Sequence, residues 1–220
     1  MANEKFHDDD LQVQILKPPF FDPTGEVIPR TTAWEKGLWY PTVNLWVVQG
    51  GPTPSIVYQQ RSPNIGWAPG KLDVLIAGHC EHLNTPSETL ALEAKEELNI
   101  AYDQSTFIPL GRKLSVGVGQ DGTVRNSVVN LFLVEDNLPV DRFLMQKKEV
   151  HAVCVCPVAE ILRVHQDPSY SYQQPATVHD GTKTMLTIDQ NIFPPNWDPY
   201  HYKMALLIDR YFKGDIKLLY

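Results

Sequence analysis

The sequence predicts an α+β fold, a layered α/β/α domain built on a mixed β-sheet. Three observations predict it. Strand-like apolar runs occur in two groups, at 42–78 and 106–157. One strongly capped helix, 85–98, separates the two groups. Shorter helical patterns follow the second group, so the order is strands, helix, strands, helix, as expected for elements packed on a sheet. The 220 residues are 43 % hydrophobic and 20 % charged, which suffices for one domain, or one domain with an appendage, and excludes a collagen, a simple coiled coil or wholesale disorder.

Taken in order, residues 1–20 read as a loose lead-in. The stretch 20–30, FFDPTGEVIPR, reads as a small hairpin around Pro23-Thr24-Gly25. TVNLWVVQG (42–50) and SIVYQQRS (55–62) read as strands joined by the turn GGPTP. After a loop at 63–70, KLDVLIAG (71–78) is a third strand ending at Gly78. The helix 85–98 has Thr85 as N-cap, Pro86 at the first helical position, and Glu88 three residues after the cap to close a capping box. Asn99 can take the left-handed conformation that ends it. Strands follow at 106–116 and 127–136 around a glycine-rich turn (117–122), and again at 149–157. Residues 158–165 form a short helix, 166–196 a polar, proline-containing stretch of little periodicity, and 198–214 an amphipathic closing helix. The domain reading is a lead-in and hairpin over 1–40, a main domain over 41–165 and a loop-rich extension ending in a helix over 166–220.

Acidic residues outnumber basic ones 26 to 19, which argues against a nucleic-acid polymer or an anionic membrane as partner. No apolar run approaches the ~18 residues of a membrane span, and the polar start MANEKFHDDD is no signal peptide, so the expectation is a cytoplasmic protein. The three cysteines, Cys80, Cys154 and Cys156, read as packing residues.

The segment that carries chemistry is GHCEHLNTPSETLALEAKEELNI, 78–100. At about 100° per residue, Glu93, Glu96 and Glu97 fall on one face of the helix. Like charges at these spacings repel, and a hard divalent cation with oxygen ligands would relieve them. Leu90, Ala94 and Leu98 form an adjoining apolar stripe that can dock the helix. A solvated acidic helix face is the plainer account of the three acids taken alone.

The wider spacing resembles the Nudix box: Gly, five residues, Glu, seven residues, Arg-Glu, an aliphatic, any residue, Glu-Glu, any residue, Gly, an aliphatic. Gly78, Glu93, Glu96, Glu97 and Ile100 fall in register, with Ala94 at the central aliphatic position. Asn84, Leu92 and Asn99 depart from it, standing where the family has Glu, Arg and Gly. The resemblance implies a Nudix α/β/α sandwich and hydrolysis of a diphosphate linkage with Mg²⁺, or Mn²⁺ as an alternative. It implies Glu93 and Glu97 as catalytic residues. The metal site would be Gly78 (through its carbonyl), Glu93, Glu96 and Glu97, with Glu149 as the candidate fourth acid from outside the box.

Over roughly 20–165 the chain is similar to the subgroup resembling isopentenyl-diphosphate isomerase. By that likeness Arg61 contacts phosphate, and Lys71 or Arg112 replaces the subgroup lysine that is here Ile65. The isomerase cysteine is here Ala77, its upstream histidines fall in the region of Trp34, Trp39 and Tyr40, and VRNSVVN (124–130) lacks its acids, so isomerisation is disfavoured. The readings that stand are a hydrolase of a small organic or nucleoside diphosphate and a Nudix-fold binding or scaffold module. The aromatic N-terminal segment suggests a homodimer.

Overall fold

The structure, a computed structural model, describes residues 11–119, 122–195, 198–215, 217 and 220. The first half of the expected lead-in and the middle of the 117–122 turn lie outside the described residues. The spine of the fold is β3 (Trp39–Gln49), in which Val43, Leu45, Trp46, Val47 and Val48 are fully buried. Consecutive buried residues mean that both faces are covered, as in a central strand. Along one edge β3 pairs in parallel with β8 (Val124–Glu135), from Trp39 facing Asn126 to Val48 facing Glu135. Its other edge is shared by β1 (Gln12–Lys17), β6 (Ile76–His79) and β4 (Ser55–Arg61). β5 (Leu72–Val74) and β9 (Val150–Pro157) flank β4, and β7 (Ile108–Val118) flanks β8.

Helices cover both faces, giving the α+β sandwich. On one face α2 (Pro86–Leu98) lays Leu90, Ala94 and Leu98 among Val43, Leu45, Val47, Val57 and Ile76. On the other, α3 (Val158–Gln166) and α4 (Tyr200–Phe212) pack Ile161, Val164, Met204 and Ile208 among Trp46, Ile56, Tyr58 and Leu131. The caps of α2 are those the sequence specifies. The Thr85 hydroxyl accepts from the Glu88 amide (3.3 Å), Glu88 accepts from the Thr85 amide (2.7 Å), and Asn99 sits at φ 56°, ψ 36°. Cys154 and Cys156 share the buried face of β9 as free thiols.

Four expectations are corrected. The N-terminal hairpin is longer and turns at 18–21, so Pro23-Thr24-Gly25 lies inside β2 (Asp22–Pro29). Pro18 and Pro19 lack amide donors and place the reversal where no ladder bond is needed. RTTAWE forms a short helix, α1 (Arg30–Glu35), which buries Ala33 with Val13, Ile15 and Tyr40. The strand 71–78 is broken at Leu75 into β5 and β6, which pair with different neighbours. The stretch 166–196 contains a hairpin, β10 (Tyr172–Val178) and β11 (Lys183–Ile188), joined to the sheet through β9. Its half-exposed polar strands conceal their period, and Pro175 is tolerated because pairing with β9 begins only at Ala176. Among the described residues no helix is long and apolar enough to cross a membrane.

Candidate functional site

Strand β6 sets Gly78 opposite Val43, at the foot of α2. The Glu93 side chain lies directly over it. A Cβ on residue 78 would stand 2.1 Å from Glu93 Oε1 and 2.5 Å from Cδ, so only glycine admits this approach. One turn on, the three acids part company. Glu96 is exposed and Glu93 half-buried, whereas Glu97 is 8 % exposed because it lies three residues past the docked Ala94.

Glu97 is the anomaly of the site. Its Oε2 is buried with no hydrogen-bond partner. Burial, reinforced by the Glu93, Glu149 and Glu96 charges and opposed by Arg61, holds its carboxyl well above the usual range. Glu149 comes near by way of the helix end. The carbonyls of Glu97 and Leu98 lack helical partners and accept from the amides of Gln146 and Leu144 (2.8 and 3.0 Å). That fixes the loop before β9, and the Glu149 carbonyl accepts from Ser62 (2.8 Å).

Arg61 ends β4 beside these acids. Its Nε donates to the Trp67 carbonyl (3.0 Å), its guanidinium stacks on the Trp67 ring (5.2 Å), and its Nη1 stands 3.9 Å from Asp73. Of the other two candidate cations, Lys71 is backbone-paired with Arg61, whose amide donates to the Lys71 carbonyl (2.9 Å), but its side chain is engaged elsewhere. Lys71 Nζ donates to the Asn191 carbonyl (2.5 Å), and Arg112 is exposed on β7. Among the described residues, no three His, Cys, Asp or Glu side chains already stand in ligand positions around one point. The donor set nevertheless suits a hard cation: an orphaned buried carboxylate oxygen, three further carboxylates acting on it and one guanidinium against them.

Sequence reasoning missed a second polar group, on the α4 face. Asp73, Lys113 and His201 are 8 %, 8 % and 6 % exposed, and Tyr200 is also buried. The Tyr200 hydroxyl accepts from Asn44 Nδ2 (2.8 Å) and Trp46 Nε1 (2.9 Å), and its ring lies 3.7 Å from Lys113 Nζ. His201 Nε2 is 3.7 Å from Asp73 Oδ1. Burial, with the His165 and Lys113 charges, pushes His201 down to about 3. Single polar residues spaced along strands and a helix leave no motif.

The profile of the NUDIX domain matches residues 39–175. The chain belongs to the Nudix domain family. It is 28 % identical over 152 residues to Nudix hydrolase 3 of Arabidopsis thaliana, a match covering 67 % of this chain and 20 % of that protein. It is 26 % identical over 136 residues to an uncharacterised Nudix hydrolase of Clostridium acetobutylicum, covering 61 % of this chain and 65 % of that one. This chain thus matches a fifth of the first relative and 65 % of the second. The crystal structure of DR0079 from Deinococcus radiodurans superposes with a TM-score of 0.55 at 18 % identity, over 70 % of this chain and 88 % of that one, and shares the Nudix fold.

Within that fold the departures have definite settings. Leu92 is half exposed beside the acids. Where the isomerase-like comparison looks for histidines, Trp34 Nε1 donates to the Tyr40 hydroxyl (2.8 Å), Tyr40 stacks on His79 (5.8 Å), and Arg30 Nη1 contacts His79 Nδ1 (3.1 Å).

Proposed function

We propose that this Nudix protein is a pyrophosphohydrolase that cleaves a diphosphate linkage in a small organic or nucleoside diphosphate with a divalent cation, Mg²⁺ or Mn²⁺. The observation that carries the reading is the buried, unpartnered Glu97 carboxylate oxygen among three other acids. Removing one carboxylate oxygen from water without a partner costs several kcal/mol, and a bound cation offsets that cost. Glu96 and Glu97 would hold the cation, with the Gly78 carbonyl and Glu149 as further oxygen donors. The cation, when bound, neutralises diphosphate charge and lowers the pKa of water.

The remaining work falls to the chain's own groups. Glu93, seated over Gly78, takes the proton of the attacking water. Arg61 would hold a diphosphate oxygen through its guanidinium, which Trp67 orients through Nε and the ring face and which stands 3.9 Å from Asp73 through Nη1. A second reading, a binding module of the same fold, draws on Leu92, which leaves Glu96 without the guanidinium that the box places four residues before it. The isomerase-like subgroup accounts for Arg61 but not for Ala77 or the packed Trp34–Tyr40–His79 cluster. The deciding experiment is turnover of a panel of diphosphate compounds with Mg²⁺ by wild type and Glu97→Gln. Turnover lost in the variant supports the hydrolase, and no turnover by wild type on any compound leaves the binding module.

A further inference from the structure

Two guanidiniums converge on one indole near Gly78. The Arg30 and Arg125 guanidinium carbons stand 4.5 and 4.4 Å from the centre of the Trp34 ring. Arg30 is 3 % exposed, and its Nη1 lies 3.1 Å from a ring nitrogen of His79, the residue after Gly78. Arg125 is half-buried, and its Nε is buried without a hydrogen-bond partner. No described carboxylate forms an ion pair with Arg125. Both charges act on the Tyr40 hydroxyl, which accepts from Trp34 Nε1 (2.8 Å). Two like charges on one ring repel, and a cation–π contact offsets only part of what their burial costs. An anion would complete the group, because guanidiniums pair best with planar oxyanions such as carboxylates.

The chain itself carries such an anion close by. Leu11 packs against the small core that also receives Trp34, and its carbonyl accepts from the Arg30 amide (2.8 Å). The three residues before it in the sequence are Asp8, Asp9 and Asp10. At about 3.3–3.6 Å per residue, all three stand within about 11 Å of Leu11. The neighbouring Gln12 carbonyl accepts from the His82 amide (3.1 Å), so the same stretch of chain is also fastened to the loop after His79. A tether this short gives the three carboxylates a local concentration that a free anion would match only at millimolar levels or above.

We propose that Arg30 and Arg125 dock the acidic stretch Asp8–Asp10 of the same chain against Trp34, and that this contact screens the arginine pair from other anions. Opposite charge and the short tether select this occupant over a separate molecule. The inference goes beyond the hydrolase reading and stands or falls without turnover.

The test is a double-mutant cycle in the full chain. Asp8→Asn, Asp9→Asn and Asp10→Asn are made together, in wild type and in Arg125→Gln, and urea unfolding is followed at low salt. The triple change should raise the unfolding equilibrium constant about fivefold in wild type and leave it unaltered in Arg125→Gln. The difference should fade in 1 M NaCl, and Arg125→Lys, which keeps the charge, should retain most of it. The second probe is inorganic pyrophosphate, titrated calorimetrically without metal. It should bind the triple variant about fivefold more tightly than wild type, and adding Arg125→Gln should remove that gain. A triple change of equal effect with and without Arg125 overturns the proposal, as does a pyrophosphate affinity that the triple change leaves untouched. Should Arg125→Gln fail to fold, the pyrophosphate titration of wild type against the triple variant decides alone.

Discussion

On the α2 face of the sheet, Glu93, Glu96 and Glu97 crowd like charges together with one arginine against them; on the α4 face, Lys113 and His201 are buried against aromatic rings, with Asp198 and Asp73 as the carboxylates acting on the lysine. Both faces bury ionisable groups, but with opposite consequences. Glu97 is raised, so the folded chain keeps a proton that the unfolded chain has released, and folding weakens as pH rises above the ordinary glutamate value of 4.5. His201 is lowered from 6.5 to about 3, so the unfolded chain takes up a proton that the folded chain refuses, and folding weakens as pH falls through that window. In both cases the neutral form relieves the cost of burial, the protonated carboxyl on one face and the unprotonated imidazole on the other.

Four substitutions test this contrast, from the largest expected effect downward. Glu97→Gln should lower diphosphate turnover by about 10²-fold or more, while raising the thermal midpoint of the chelator-treated chain. The stability gain should vanish near pH 4 and grow as pH rises above the ordinary glutamate value; a variant less stable than wild type at pH 8 would show that the buried carboxylate is satisfied. His201→Phe should flatten the decline in stability between pH 6.5 and 4, an effect on the order of a few kcal/mol at the acid end, read from urea unfolding at stepped pH. Tyr200→Phe strands the donors of Asn44 and Trp46 and should cost about 2 kcal/mol in the same assay, with the Glu97-dependent pH slope untouched. Thr85→Ala should cost about 1 kcal/mol by opening the capping box, and it should loosen cation affinity far less than Glu97→Gln.

The acidic face was legible in the sequence because a helix writes its geometry in fixed spacings. Thr85, Glu88 and Asn99 mark its ends, and the stripe Leu90–Ala94–Leu98 states which side docks. What the spacing left out was the inequality of the acids, since the depth of Glu97 depends on where the stripe meets β3 and β6. The α4 face was not legible, because Asp73, Lys113, Tyr200 and His201 come from two strands and a helix far apart in the chain. Their meeting is a tertiary fact with no local signature. The hairpin β10–β11 escaped notice for a related reason: its strands are mostly polar, so the partly buried face they present carries little hydrophobic alternation to read.

One last consequence follows from the parallel pairing of β3 with β8. A chain emerging from the ribosome presents β3 early, with its longest edge bare until residue 135 has been made. Every residue of β4, β5, β6, α2 and β7 must be synthesised first, so that edge waits while β1, β4 and β6 can already pair along the other. Because so much chain separates the two strands, their parallel pairing is a high-contact-order step, of the kind that slows folding relative to local helix and hairpin formation.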